Sequence, residues 1–110
     1  MDIQFTARHF RARSEVRTHA LDAVKKLGRF YDGIVSADVI LSFERRTNSV
    51  KNAEINLHVH RTVLSAREKS SDFIKSIDAA VEKLAVQLEK YKSKLRAKDK
   101  ITVRRLKARE

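Results

Sequence analysis

The sequence predicts an α+β fold with the order β-α-β-β-β-α, in which two helices cover one face of a four-stranded sheet. Three observations carry that reading. In four separate stretches apolar residues alternate with polar ones, the period of a half-buried strand. In two others apolar residues recur every three or four positions, the period of a helix with one buried face. The chain has 110 residues, enough for one core and not for two.

Ile3, Phe5 and Ala7 alternate with Gln4, Thr6 and Arg8, giving a first strand. Ser14 stands where it can cap the following helix, with Glu15 in its first turn. Val16, Ala20, Ala23, Val24, Leu27 and Tyr31 then share one helical face. Gly28 is the expected stop, although the periodicity runs slightly past it. Ala37, Val39, Leu41 and Phe43 form the buried side of a second strand. The polar stretch Arg45 to Asn52 supplies a turn, and Ala53, Ile55, Leu57 and Val59 form the buried side of a third strand. Two alternating runs about a short polar turn predict an antiparallel hairpin. Thr62 to Glu68 is a weaker fourth run, with Leu64 and Ala66 inward.

Ser70 or Ser71 opens the last helix, with Asp72 in its first turn. Ile77, Val81, Leu84, Leu88, Tyr91 and Leu95 follow at steps of four, three, four, three and four, the cleanest periodicity in the chain. Residues 1–96 are thus expected to form a single α+β domain, and residues 97–110 a basic, flexible C-terminal tail. Ile101, Val103 and Leu106 are too few apolar anchors to offset the entropy of ordering that segment. The competing reading is that it continues the helix or adds a strand. With both helices on one sheet face, the other face is left open and polar, consistent with its Gln, Asn, His and Arg residues.

Charge narrows the function. Lys and Arg number 25 against 14 acids, a net charge of +11. Such an excess attracts polyanions: nucleic acid first, an anionic membrane surface second. Aromatic residues are only 6% of the chain, so the core is aliphatic. The absence of Cys excludes disulfide and thiol chemistry and is compatible with a reducing compartment. No apolar run is long enough to span a bilayer, and Met1-Asp2-Ile3-Gln4-Phe5 lacks the layout of a signal peptide, so the expected location is the cytoplasm.

The charges on the last helix are sorted. At about 100° per residue, Lys83, Gln87, Lys90 and Lys94 line one flank of the apolar stripe, while Asp78, Glu82 and Glu89 lie opposite. A helix needing only solubility gains more by mixing opposite charges at i,i+4. The ridge is either a solvated lysine face or a phosphate-binding surface, and the net charge favours the second. Lys25, Lys26 and Arg29 near the end of the first helix either extend that surface or complement the helix dipole. Arg8, Arg45, Arg46, Arg61 and Arg67 on strands or turns either reach phosphates or protect edges. His58 and His60 are expected to face the same way with Glu54, but no further ligand is legible, so neither a metal nor a cofactor is expected. No nucleophile elbow or Gly-rich phosphate loop occurs, and no small-molecule substrate or catalysis is indicated.

Asp72-Phe73-Ile74-Lys75-Ser76-Ile77-Asp78 resembles the Asp-Met-Tyr-x-Ala-Ile-Asp segment of the ribosome hibernation promoting factor family. Lys83-Leu84-Ala85-Val86-Gln87-Leu88-Glu89-Lys90-Tyr91-Lys92 resembles the Lys-Leu-x-x-Gln-Leu-x-Lys-x-Lys that follows it there, and Ile3 to His9 and Lys25-Lys26-Leu27 are also similar. The resemblance implies a fold like a double-stranded-RNA-binding domain and docking on small-subunit rRNA, in the tRNA and mRNA channel over the A and P sites. Translation is then blocked and idle ribosomes are protected in stationary phase or stress. It places rRNA contacts on Lys83, Lys90, Lys92, Lys94 and Lys25; the helical reading reaches the first two and Lys94 independently, but not Lys92. A ribosome modulation factor is a further candidate partner. Phe73-Ile74 replaces Met-Tyr, Ser76 replaces Ala, and Arg61-Thr62 stands where an Asn-Gly-like turn is usual. The short form of the family is implied; the alternatives are the N-terminal domain of a long form, or a general RNA-binding module without ribosome preference.

Overall fold

The computed structural model describes the backbone of residues 1–44 and 50–109 and the side chains of residues 1–44 and 50–95. The elements are β1 (Asp2–Ala7), α1 (Ser14–Phe30), β2 (Ile34–Phe43), β3 (Lys51–Val59), β4 (Thr62–Ser70) and α2 (Phe73–Arg109). The strands lie in chain order in one sheet, β1 parallel to β2 and the other neighbours antiparallel. The parallel pair requires a crossover, and α1 is that crossover. α1 packs on β1, β2 and α2, while α2 packs on β3 and β4, so both helices cover the same sheet face.

The periodicities meet in one core. Ala20, Val24 and Leu27 of α1 and Ile77, Ala80, Leu84 and Leu88 of α2 are buried over Ala37, Val39, Leu41, Ala53, Ile55 and Leu57. Val16, Ala23, Tyr31, Val81 and Tyr91 pack at its margin, while Leu95 is exposed. β2 starts three residues before its alternating pattern. Ile34 pairs with Val59 and Ser36 with His58, so Val35 is an extra residue in a bulge. The bulge turns both Ile34 and Ala37 inward and leaves Val35 66% exposed.

Three boundaries differ from expectation. α1 begins at Ser14 itself, after Arg13 at the cap position, and no side chain caps it. Gly28 lies inside α1, which ends at Phe30 with the Tyr31 N–H donating to the Leu27 carbonyl at 3.0 Å. Asp72 is the cap of α2 and not part of its first turn: its Oδ1 accepts the Ile74 N–H at 3.0 Å. The backbone of α2 continues helically to Arg109.

The turn after β2 falls partly on residues 45–49, including Arg45 and Arg46, which lie outside the described residues. At its base the Glu44 N–H donates to the Val50 carbonyl at 3.0 Å. Val59 pairs with Thr62, so the two-residue loop between β3 and β4 is His60-Arg61, one position earlier than Arg61-Thr62. Arg61 adopts φ 67°, a left-handed conformation uncommon for a side chain of its size. Tyr91 of α2 holds this turn, its hydroxyl donating to the His60 carbonyl at 3.0 Å.

Ser76, where the resembled segment has Ala, is fully buried. Its Oγ lies 2.8 Å from the Lys51 carbonyl oxygen, 3.1 Å from that of Asp72 and 2.7 Å from the Ser70 hydroxyl. It ties the start of α2 to the start of β3. Ser76→Ala is expected to cost about 0.5–1.5 kcal/mol, the net worth of a hydrogen bond. Leu84→Ala or Leu88→Ala should cost about 2–5 kcal/mol as cavity-forming truncations. Urea denaturation followed by circular dichroism measures both.

Candidate nucleic-acid interface

Seating α2 on β3 and β4 turns its lysine flank toward the β4 edge of the sheet. Lys83 pairs with the Glu68 carboxylate of β4, the lysine 63% exposed and the glutamate 23%. Gln87 Nε2 donates to the Ser65 carbonyl of β4 at 2.8 Å. Lys90 and Lys94 follow along the same flank, exposed and with no carboxylate at ion-pair distance among the described residues. The opposite flank faces α1, where His19 Nε2 lies 2.6 Å from Asp78 Oδ1.

The other predicted residues divide by position. Lys92 lies on the α1 side, its Nζ donating to the Phe30 carbonyl at 3.2 Å and sitting 4.3 Å from the centre of the Phe30 ring. A cation on the last carbonyls of α1 complements that helix's dipole. Lys25, Lys26 and Arg29 are exposed on α1. Lys25 and Arg29 border a groove with Met1, Ile3 and Tyr31, at the end of the domain where Tyr31 stacks on Tyr91 at 5.6 Å. Arg8 is elsewhere. It follows β1, its N–H donating to the Leu41 carbonyl at 2.9 Å, and lies beside Ser42, Asn52 and Arg67. The structure therefore joins Lys83, Gln87, Lys90 and Lys94, gathers Lys25, Arg29 and Lys92 around the end of α1, and separates Arg8 by the length of β1.

The open sheet face is not a basic surface. It carries Asp2, Asp38 and Glu54 against Arg67 and Lys69, with Arg8 beside Arg67. His58 Nε2 lies 3.0 Å from Asp38 Oδ2, and the Ser65 hydroxyl donates to Asn56 at 2.7 Å. His60 sits in the turn and not on that face beside His58. No three His, Asp, Glu or Cys gather as metal ligands among the described residues, and no helix there is long and apolar enough to cross a membrane.

Sequence reasoning passed over Arg11 and Arg13, exposed in the connection from β1 to α1. The available signal was the aromatic residue set among arginines in Arg8-His9-Phe10-Arg11-Ala12-Arg13. Phe10 turns inward onto Phe43 and Phe73, at 4.9 and 5.1 Å between ring centres.

The geometry defines a small basic α+β domain whose cations line the helical layer and whose sheet face is mixed in charge. Residues 3–96 match the family described as Sigma 54 modulation protein / S30EA ribosomal protein, and the chain belongs to that family. It is 30% identical over 96 residues to a ribosome hibernation promoting factor of Klebsiella oxytoca, covering 87% of this chain and 98% of that one. Its fold is similar to a ribosomal subunit interface protein from Coxiella burnetii, with a TM-score of 0.76 and 24% identity over 84% of this chain and 99% of that one. The Protein Y N-terminal domain of Thermus thermophilus gives a TM-score of 0.71 at 25% identity, covering 83% and 99%.

The lysine flank is separable from the core. Lys83→Glu, Lys90→Glu and Lys94→Glu together should lower stability by about 1–2 kcal/mol, since surface changes are each worth little and only Lys83 has a carboxylate partner among the described residues. Thermal melting with circular dichroism of the triple variant tests this.

Proposed function

We propose that the protein is a ribosome hibernation factor. It binds small-subunit rRNA in the tRNA and mRNA channel over the A and P sites, blocks translation and preserves idle ribosomes in stress or stationary phase. The observation that carries the reading is the flank of Lys83, Gln87, Lys90 and Lys94, sorted away from the acids of α2 in a family whose relatives bear hibernation-factor names. The mechanism is occupancy and not catalysis. Lysines contact phosphates, which position a protein without reading base sequence, so selectivity comes from the shape of folded RNA. Lys83, itself exposed, exchanges Glu68 for a phosphate. Lys25, Lys26 and Arg29 extend the contact from α1, and Lys92 adds charge from its place on Phe30. Arg8 serves at most as a separate contact.

On this reading the protein is cytoplasmic and ribosome-associated, with the small subunit and its rRNA as partners and a ribosome modulation factor as a further one. Residues 1–96 are the ribosome-binding body. Residues 97–110 are a basic accessory segment, with Lys98, Lys100, Arg104, Arg105, Lys107 and Arg109 against Asp99 and Glu110.

Cosedimentation with vacant ribosomes, in competition with tRNA and separately with free duplex RNA, tests the reading. tRNA should displace the protein and duplex RNA should not; equal competition by both would leave a general RNA binder. With ~5 phosphates neutralised, log affinity should fall against log salt with a slope of roughly −3 to −5, and the triple Lys→Glu variant should not sediment. Deletion after Arg96 should weaken binding modestly without abolishing it, as measured by the same titration.

A further inference from the structure

Away from the lysine flank, the connection from β1 to α1 and the start of α2 border a half-open cavity of about 320 Å³. That volume is in the range of small-ligand sites. Its wall is aromatic. Phe10 and Phe73 lie parallel, 5.1 Å apart and within 3°, and Phe43 stands edge-on to both at 4.9 and 5.2 Å. Phe73 is buried, whereas Phe10 and Phe43 are half-buried and partly open to the cavity. Its rim is cationic: Arg11 and Arg13 are exposed there, and neither has a carboxylate partner among the described residues. Lys51 adds a third cation, its Nζ 5.7 Å from the centre of the Phe73 ring.

We propose that this cavity takes one unpaired RNA nucleotide, with its base against the aromatic wall and its flanking phosphates on Arg11 and Arg13. The inference rests on the reading that the protein binds RNA, and it adds a site where a base and not only a phosphate is held. Unstacked bases are held on aromatic side chains and arginine planes, whereas the bases of a duplex are stacked and cannot enter. Among the described residues one acid, Asp72, stands on the rim, and it argues against an inorganic anion filling the space. Asp72 Oδ1 accepts the Ile74 N–H, and a carboxylate beside the cavity repels phosphate there while able to accept a hydrogen bond from a base N–H. Phosphates belong on the arginine side and the base edge on the Asp72 side. Duplex phosphates on α2 and one extruded nucleotide in the cavity are different RNA features, which a folded RNA presents together and a plain duplex does not.

The test titrates the isotope-labelled full chain with an adenosine trinucleotide, and with the same backbone lacking its bases, following amide shifts by NMR. Saturable shifts centred on residues 10–16, 72 and 73 are expected, at least several-fold weaker with the abasic strand. Arg11→Ala with Arg13→Ala should abolish them without moving the melting temperature. Equal response to the abasic strand, shifts confined to α2, or an undiminished response in the double-arginine variant would overturn the site. The triple Lys→Glu variant separates the two readings. It should fail on ribosomes and keep the trinucleotide shifts, so loss of ribosome binding alone leaves the cavity standing. A wild-type chain that sediments with ribosomes but ignores the trinucleotide removes the cavity alone.

Discussion

The burial of one stripe of α2 against β3 and β4 is the constraint from which the rest of the surface follows. Leu84 and Leu88 have no solvent exposure, and fully burying a leucine side chain is worth about 1.5–3 kcal/mol. Once those residues face the sheet, 100° per residue leaves no freedom for the others. Lys83, Gln87, Lys90 and Lys94 must lie on the β4 side, and Asp78 must face α1. Four polar contacts agree with that rotation: Lys83 with Glu68, Gln87 with Ser65, Tyr91 with His60 and Lys92 with Phe30. Turning the helix by one residue would drive Lys83 toward the core, where an unpaired charge is prohibitive. The orientation of the basic flank is thus set by apolar residues on another face of the same helix.

This explains what was legible in the sequence. The strands and helices announce themselves because a two-residue or 3.6-residue period is a local property, and the sorted charges of α2 follow from its stripe. The boundaries are less local. Ser14 has the chemistry of a cap, yet the cap position falls on Arg13; Asp72 takes the cap expected of Ser70 or Ser71. The bulge at Val35 is invisible to a pattern that starts cleanly at Ala37, because only pairing with β3 reveals the extra residue. The stripe also places Lys92 off the ridge, but not on Phe30, since that contact depends on where α1 ends. The aromatic cavity is assembled from the β1–α1 connection, β2, β3 and the start of α2, so no single stretch of sequence contains it.

The charge of the molecule is distributed unevenly. The helical layer carries exposed cations on α1 and on one flank of α2, the β1–α1 connection carries arginines, and the sheet face opposes Asp2, Asp38 and Glu54 to Arg67 and Lys69. A polyanion approaching such a domain is oriented before contact, because the favourable potential lies on the helical side. The His58–Asp38 contact belongs to the sheet face, and His58 is accounted for there by a protein partner.

β4 ends the sheet, and a free edge is a template on which a second chain can add strand to strand. Here that border is guarded by α2. Gln87 occupies the Ser65 carbonyl, Lys83 stands at Glu68, and Arg67 and Lys69 project from the strand itself. Charged side chains along a sheet edge are a recognised defence against intermolecular pairing. Cations along this border also keep copies of the domain apart by electrostatic repulsion. Side chains of α2 thus take part in closing a sheet edge that β4 alone would leave open.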